Sequence, residues 1–334
     1  NGTYHRGNDA VAIGTSSNAS STNSIAIGLK ANASGGDGLT YKTSGKYYTQ
    51  FAENSIAVGT QANSFSPNSI AVGASARTGI QGTAIERGVG NSDGALPSGE
   101  KYKYIANKAI AIGTNATADS DGALALGDGA KAGWLENYNG YNSTKDVDGK
   151  ANGTYFHSAP NAIAIGGSAN AVGQSSIAIG ASSSTNKETS LALGVSAKAT
   201  GKESIAIGGR SQATAGGAIA LGCAAKATDT AAIAIGRLSN ASGQGIAIGL
   251  QSNSTGSNDI AIGFKAKASS DGSSIAIGCQ ASVSGSGKAV AIGESSKASG
   301  QNAYALGYQA ESTASDSFAI GTQAKANRQG QIRL

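Results

Sequence analysis

The chain has 334 residues, of which 50 are glycine, 3 are proline and only 17 are aromatic, and its formal net charge is +5. Glycine at about twice its usual share, without a Gly-X-Y register, excludes collagen and indicates many regularly placed bends. Charged residues make up only 13% of the chain, which argues against a solvated disordered tail. No apolar run is long enough for a membrane-spanning helix, and so few large side chains predict a narrow core.

The dominant feature is a four-residue unit, apolar-Ala-apolar-Gly, that recurs 18 times. From Gly166 to Gly321 the spacing of its glycines is 14 in eight of eleven steps, with one 13 and two 15s. Three earlier gaps of 31, 40 and 39 residues leave insertions of 17, 26 and 25 residues. The 18 glycines are Gly14, Gly28, Gly59, Gly73, Gly113, Gly127, Gly166, Gly180, Gly194, Gly208, Gly222, Gly236, Gly249, Gly263, Gly278, Gly293, Gly307 and Gly321.

Inside each unit large residues alternate with alanine, as in Ile25-Ala26-Ile27, which is the period of a β-strand. A second short alternation follows the glycine, as in Ala197-Lys198-Ala199. Each repeat therefore predicts strand, bend, strand, bend, and the whole pattern predicts an all-β solenoid of parallel strands. At ~4.8 Å per stacked strand, the coils would form a rod of roughly 85 Å.

The alternation also divides the side chains between interior and exterior. Because large aliphatic side chains are usually buried, we expect the 36 large residues beside the motif alanines to form two inward ladders. The alanines would then form a smooth outer column, either an oligomer interface or a flat solvent face. The motif glycines are expected at bends that have no room for a Cβ.

The SIAIG strings, together with an Ala-x-Ala segment before the next copy, as in Ala197-Lys198-Ala199, resemble the head repeats of YadA-like trimeric autotransporter adhesins. The resemblance implies a left-handed parallel β-roll of 14-residue coils, assembled as a side-by-side homotrimer. Residues 1–334 would form a single head domain with about 18 coils and with insertions at about 33–50, 78–106 and 133–158. The long insertions resemble heads of the ubiquitous-surface-protein type. We expect the stalk and the membrane anchor of such proteins to lie outside this sequence.

Adhesion is the function that this resemblance implies. A bacterial surface head, anchored in the outer membrane through C-terminal regions, would bind fibronectin, laminin, collagen or cell-adhesion receptors by multivalent noncovalent contacts. The alternative is a structural spacer whose binding sites lie in the missing stalk. We expect no enzyme activity, cofactor or metal, because the chain has only two histidines and its paired aspartates do not complete a calcium loop. The charge is expected to be spread along the chain, with no nucleic-acid partner and no membrane insertion.

The insertions, together with Phe51 at the end of the first, hold 11 of the 17 aromatic residues, several of them beside lysines, which is a composition typical of binding hot spots. They are expected to form a receptor-binding surface or, alternatively, clasps that lock neighbouring subunits. The candidate ligand-binding residues are Tyr41, Lys42, Lys46, Tyr47, Tyr48, Lys101, Tyr102, Lys103, Tyr104, Trp134, Tyr138, Tyr141, Tyr155 and Phe156.

A basic stripe is predicted on the second strand, four residues after the motif glycine. Its side chains would point to solvent and either attract acidic matrix glycans or proteins, or form a solvated face. The stripe consists of Arg77, Lys131, Lys198, Lys226, Lys267, Lys297 and Lys325.

Cys223 and Cys279 share another repeat position four coils, or ~19 Å, apart. They are expected to be free thiols, because bridged Cα atoms lie within about 7 Å; contacts between symmetry-related subunits are the alternative.

Overall fold

A computed structural model describes residues 9–34, 39–43, 46–50, 53–79, 107–133, 159–270, 272–285 and 287–334. In that part of the chain every regular element is a β-strand. The chain divides into two compact units, Asn1–Ser182 and Ser183–Leu334. Each is built from turns that carry two short strands, so the predicted all-β parallel solenoid of about 18 turns is confirmed.

The apolar-Ala-apolar unit forms the longer strand of each turn, and we call the outer side of these strands face 1. Each strand pairs in parallel with its counterpart one turn away, so that alanine lies beside alanine, as in Ala206, Ala220 and Ala234. In the first unit these strands are Val11–Ile13, Ile25–Ile27, Ile56–Val58, Ile70–Val72, Ile110–Ile112, Leu124–Leu126, Ile163–Ile165 and Ile177–Ile179. In the second they are Leu191–Leu193, Ile205–Ile207, Ile219–Leu221, Ile233–Ile235, Ile246–Ile248, Ile260–Ile262, Ile275–Ile277, Val290–Ile292, Tyr304–Leu306, Phe318–Ile320 and Ile332–Arg333.

The shorter strand of each turn has two residues, and we call its outer side face 2. These strands also pair in parallel within each unit. In the first unit they are Asn63–Ser64, Arg77–Thr78, Thr117–Ala118, Lys131–Ala132 and Asn170–Ala171. In the second they are Ser184–Thr185, Lys198–Ala199, Gln212–Ala213, Lys226–Ala227, Asn240–Ala241, Asn253–Ser254, Lys267–Ala268, Ser282–Val283, Lys297–Ala298, Glu311–Ser312 and Lys325–Ala326. An antiparallel hairpin of Leu39–Thr43 and Lys46–Gln50 lies within the first insertion.

The interior is lined by small residues, and the predicted orientation of the longer strand was wrong. Ala206 and Ala220 are completely buried, whereas the flanking aliphatic residues are half-exposed or exposed, as with Leu193 at 40% and Leu221 at 36%. The motif alanine therefore faces inward and its two large neighbours face outward. Among the described residues the largest completely buried apolar side chain is that of Val283, and most of the others are alanine.

Four inward positions in each turn explain this packing. Ala218, Ala220, Ala225 and Ala227 are the inward residues of one turn, and all four are completely buried. Where serine or threonine replaces alanine, many of the hydroxyls have a partner inside, as with the Oγ atoms of Ser312 and Ser317, 2.6 Å apart, whereas Oγ of Ser55 has none among the described residues. Each buried alanine methyl contributes only about 0.8 kcal/mol, so backbone hydrogen bonds between turns are an important part of what holds the solenoid together.

The expected role of the motif glycines is confirmed by the backbone. The glycines of the 18 motifs have φ between +119° and +136°, in the range that favours glycine. A Cβ added to one of them, Gly208, would lie 2.6 Å from the carbonyl oxygen of Gly222 in the next turn. Both bends of a turn also contain a residue in the left-handed region, such as Arg210 at φ 59° and Glu203 at φ 56°.

Candidate functional site

Face 1 presents two columns of outward aliphatic side chains. In the second unit, Ile205 stacks beside Ile219 in one column, and Ile207 lies between Leu193 and Leu221 in the other. Water-exposed apolar columns of this kind mark surfaces that pack against a partner. The predicted surface of alanine is thus replaced by a surface of isoleucine and leucine, in which an interlocking contact can bury much more apolar area.

Two aromatic side chains replace isoleucine near the C-terminal end of the face 1 column that contains Ile205 and Ile219. Tyr304 and Phe318 occupy equivalent positions in paired strands, and their rings stack with centroids 4.6 Å apart and planes 2° apart. Both stand at the first position of the apolar-Ala-apolar motif, and the repeat pattern alone did not distinguish them from the isoleucines of other turns. They continue the apolar surface of face 1 with larger side chains.

Face 2 carries the predicted basic stripe, and its residues lie in one register within each unit. In the second unit the outward column contains five lysines, alternating with polar residues such as Gln212, Asn240 and Asn253. The five are exposed: Lys198, Lys226, Lys267, Lys297 and Lys325. In the first unit Arg77 and Lys131 flank Thr117 in the equivalent column.

Arg77 does not point freely to solvent as the stripe predicted. Its Nη2 atom lies 2.5 Å from Oδ2 of Asp119, whose side chain is fully buried while that of Arg77 is 35% exposed. Burial raises the pKa of Asp119 to about 6, despite the opposing attraction of Arg77 and Lys131. Among the described residues Oδ1 of Asp119 has no hydrogen-bond partner. Arg77 is therefore part of a structural ion pair.

All three insertions interrupt the described turns at the same point, in the bend that follows face 2. The described turns stop at Ser34, Gly79 and Gly133, and the strands on either side of each insertion still pair directly, as Ile25 pairs with Ile56. At the third insertion the Ser120 hydroxyl donates to the Gly133 carbonyl and accepts from the Ala159 amide. Removal of residues 134–158 would restore a 14-residue turn there.

The candidate residues of the first insertion lie on its hairpin, where Tyr41 pairs with Tyr48 and Lys42 with Tyr47, next to Lys46 opposite Thr43. This register places aromatic and basic residues on one two-stranded element. The other candidates lie outside the described residues: Lys101, Tyr102, Lys103, Tyr104, Trp134, Tyr138, Tyr141, Tyr155 and Phe156. The receptor-surface and clasp interpretations of the insertions both remain predictions.

Both cysteines are free, as expected from their spacing. Cys223 is exposed and Cys279 is half-exposed. They occupy the bend after face 1, in the column that also holds Leu250 and Phe264. No disulfide therefore crosslinks turns of the second unit.

Asp259 of the second unit was not predicted from the repeat pattern. It occupies an inward position and is completely buried, and its carboxylate accepts hydrogen bonds from the backbone amides of Gly256, Ser270 and Ser274 at 2.8–3.2 Å.

The charge distribution corrects the expectation of an even spread along the chain. The first unit has 12 basic and 12 acidic residues, and the second has 13 basic and 8 acidic residues, so the second unit carries the entire net charge of +5.

Within the described ranges, no three His, Cys, Asp or Glu residues come together in a group that could hold a metal ion. The same ranges contain no helix long and apolar enough to cross a membrane. The prominent surfaces of the described chain are thus the apolar face 1, the polar and basic face 2, and the common edge from which the insertions emerge.

Comparison with known proteins identifies the repeat. The family model of the YadA head domain repeat (2 copies) matches 241 of the 334 residues. The matched segments are 6–36, 52–76, 106–130, 158–183, 186–211, 199–222, 213–239, 241–266, 254–281, 286–310 and 298–324. No curated protein sequence matches the chain.

A solved structure, the collagen-binding domain of the Yersinia adhesin YadA, is 31% identical, with a TM-score of 0.28, over 40% of this chain. The match spans 66% of that domain, just under two thirds of its length. The chain belongs to the YadA head domain repeat family, the head repeats of trimeric autotransporter adhesins.

Proposed function

We propose that this chain is the adhesive head of a bacterial surface protein and that it binds extracellular-matrix proteins or cell-adhesion receptors. The family match and the exposed aliphatic columns of face 1 support this proposal. In it, residues 1–334 form one left-handed head domain, and regions outside this sequence provide the stalk and the outer-membrane anchor. A structural spacer is the alternative.

The head assembles as a homotrimer in which face 1 of each chain packs against the other two. This face carries half-exposed isoleucine and leucine side chains in the described turns, and burial of the part of each that is still exposed contributes on the order of 1 kcal/mol. The threefold arrangement is the one implied by the family, and burial of the apolar face 1 would supply the free energy of assembly. Face 2 and the edge that carries the insertions then remain available for ligands.

Collagen is the first ligand to test, with fibronectin and laminin beside it. The Yersinia domain that resembles this chain is described as collagen-binding. Three equivalent surfaces on one trimer raise the apparent affinity of a weak contact, because the second and third contacts form at a high effective concentration. The insertion residues are candidates for this contact, and clasping of subunits is their alternative role.

The observation that carries the proposal is the exposed apolar face 1 within a YadA-type repeat. The test is to immobilise collagen, fibronectin and laminin separately and to measure binding of the purified chain at its assembled mass. Saturable binding of an oligomer to at least one of these proteins supports an adhesive head. An oligomer that binds none of them and no cultured cell favours the spacer.

A further inference from the structure

The outer surface of face 2 in the second unit combines two parallel columns of different chemistry. The basic stripe forms one column. Two residues further along each turn, on the same side of the strand, a hydroxyl residue stands in nine successive turns: Thr200, Thr214, Thr228, Ser242, Thr255, Ser269, Ser284, Ser299 and Thr313. All nine are exposed or half-exposed. A ligand that lies along the stack would meet cations on one side and hydroxyl groups on the other.

The cations are unevenly neutralised along the stripe. Glu311 lies between Lys297 and Lys325, with its carboxylate oxygens 3.6 Å from both ammonium groups. By contrast, Lys198, Lys226 and Lys267 form no ion pair with any described residue. These three lysines span five turns, which is about 24 Å along the stack. They concentrate positive charge in the unit that carries the whole net charge of the chain.

We infer that Lys198, Lys226 and Lys267, with the adjacent hydroxyl column, form a binding site for a linear sulfated polysaccharide lying along the second unit. Such a chain carries sulfate groups along a row of hydroxyl-rich sugar rings. That chemistry complements lysines two or three turns apart, separated by Gln212, Asn240 and Asn253. Because the stripe lies on face 2, the site is independent of the contacts on face 1.

A nucleic acid fits this surface less well. Double-stranded DNA is usually bound by Lys and Arg side chains that neutralise several neighbouring phosphates, and single strands are usually held by aromatic rings that stack on the bases. The outward columns of face 2 in the described part of the second unit contain no aromatic residue and no arginine. Amide, hydroxyl and ammonium groups are instead suited to sugar hydroxyls and sulfates.

The test is a binding series on immobilised heparin with three proteins at matched ionic strength. The column variant is Lys198→Gln with Lys226→Gln and Lys267→Gln. The matched control is Arg210→Gln with Lys265→Gln and Lys288→Gln, which removes the same charge from exposed bend positions. We expect the column variant to lose about tenfold in affinity and the control to change less than about twofold. Equal losses in both variants, or no loss in either, would overturn the site.

Three further readouts sharpen the result. Gln212→Lys adds a cation between Lys198 and Lys226 and should tighten heparin binding, even if the triple variant folds poorly. Affinity should rise with oligosaccharide length until the chain spans about 24 Å. Desulfated heparin should bind weakly. Equal affinity for heparin and desulfated heparin would also refute a sulfated polysaccharide as the ligand. So would equal affinity for single-stranded DNA that falls in the same way in the triple lysine variant.

Discussion

The carbonyl oxygen of Gly222 lies 2.6 Å from the position that a Cβ on Gly208 would occupy one turn away. The backbone of Gly208, at φ +123°, is also strained for any residue with a side chain. The same relationship recurs between other motif glycines, such as Gly222 and Gly236. Turns stack at this bend through backbone alone, which explains why the glycine is kept in all 18 motifs.

Substitution of Gly208 should therefore disrupt stacking. We expect Gly208→Val to lower the free energy of unfolding by roughly 3 kcal/mol, because the conformational strain and the backbone clash add. The neighbouring Gly209 is the matched control, since a Cβ there would meet no atom nearer than 3.9 Å and its φ is not positive. Thermal unfolding of Gly208→Val and Gly209→Val provides the comparison. Unchanged unfolding of Gly208→Val would refute the role assigned to this bend.

The spacing of the repeat was sufficient to predict two strands per turn, parallel stacking and the position of the glycines. It could not decide which side of the strand is inside, because a period of two only places neighbours on opposite sides. The preference of isoleucine for protein interiors then led to the wrong orientation. Most inward positions carry alanine or serine, such as Ser24, Ala26, Ala31 and Ala33, and that shared property was the available signal.

The site was predictable only in part, for reasons that differ between residues. The register of the lysines follows directly from the repeat, and the structure places those of the second unit in one exposed column; their role in binding stays a prediction. Arg77 and Asp119 lie on either side of an insertion and are 42 residues apart in the sequence, so no local sequence pattern predicts that they pair. Asp259 replaces a serine or alanine at one inward position, and its backbone donors come from two turns.

The aliphatic columns of face 1 should hold the assembly together. In Ile207→Lys an ammonium group would enter that contact in every subunit, where removal of its hydration costs several kcal/mol. We expect the variant to dissociate while its secondary structure is retained, because Ile207 faces outward. Thr214→Lys, which adds the same charge to face 2 of that turn, should remain assembled. Light scattering and circular dichroism of both variants check this, and an assembled Ile207→Lys would show that face 1 is not the interface.

Asp119 should give the fold a specific dependence on pH. Burial raises its pKa from 3.8 to about 6, so between about pH 4 and 6 the folded chain holds a proton that the unfolded chain has released. Stability contributed by this group is therefore present at low pH and falls as pH rises through that window, by on the order of 3 kcal/mol.

The comparison is between the unmodified chain and Asp119→Asn, which does not titrate. As pH rises from 4 to 7, the unmodified chain should lose unfolding free energy relative to the variant. Glu294→Gln removes an exposed carboxyl and keeps Asp119, so its unfolding free energy should follow that of the unmodified chain across this range. Parallel curves for the unmodified chain and Asp119→Asn across this range would contradict the raised pKa.

Removal of the third insertion separates its two interpretations. Deletion of residues 134–158 joins Gly133 to Ala159, whose backbone groups already share the Ser120 hydroxyl, and restores a 14-residue turn. We expect the shortened chain to fold, keep its oligomeric mass and lose binding to matrix protein. Loss of the oligomer with binding spared would instead identify the insertion as a clasp.

The most direct test of the account is the light-scattering mass of the purified chain, followed by collagen binding of the same sample. Assembly through face 1 predicts a particle of about three times the 32.5 kDa chain mass, and an adhesive head predicts that this particle binds collagen or another matrix protein. A stable monomer of 32.5 kDa that leaves the aliphatic columns in water would contradict the central claim.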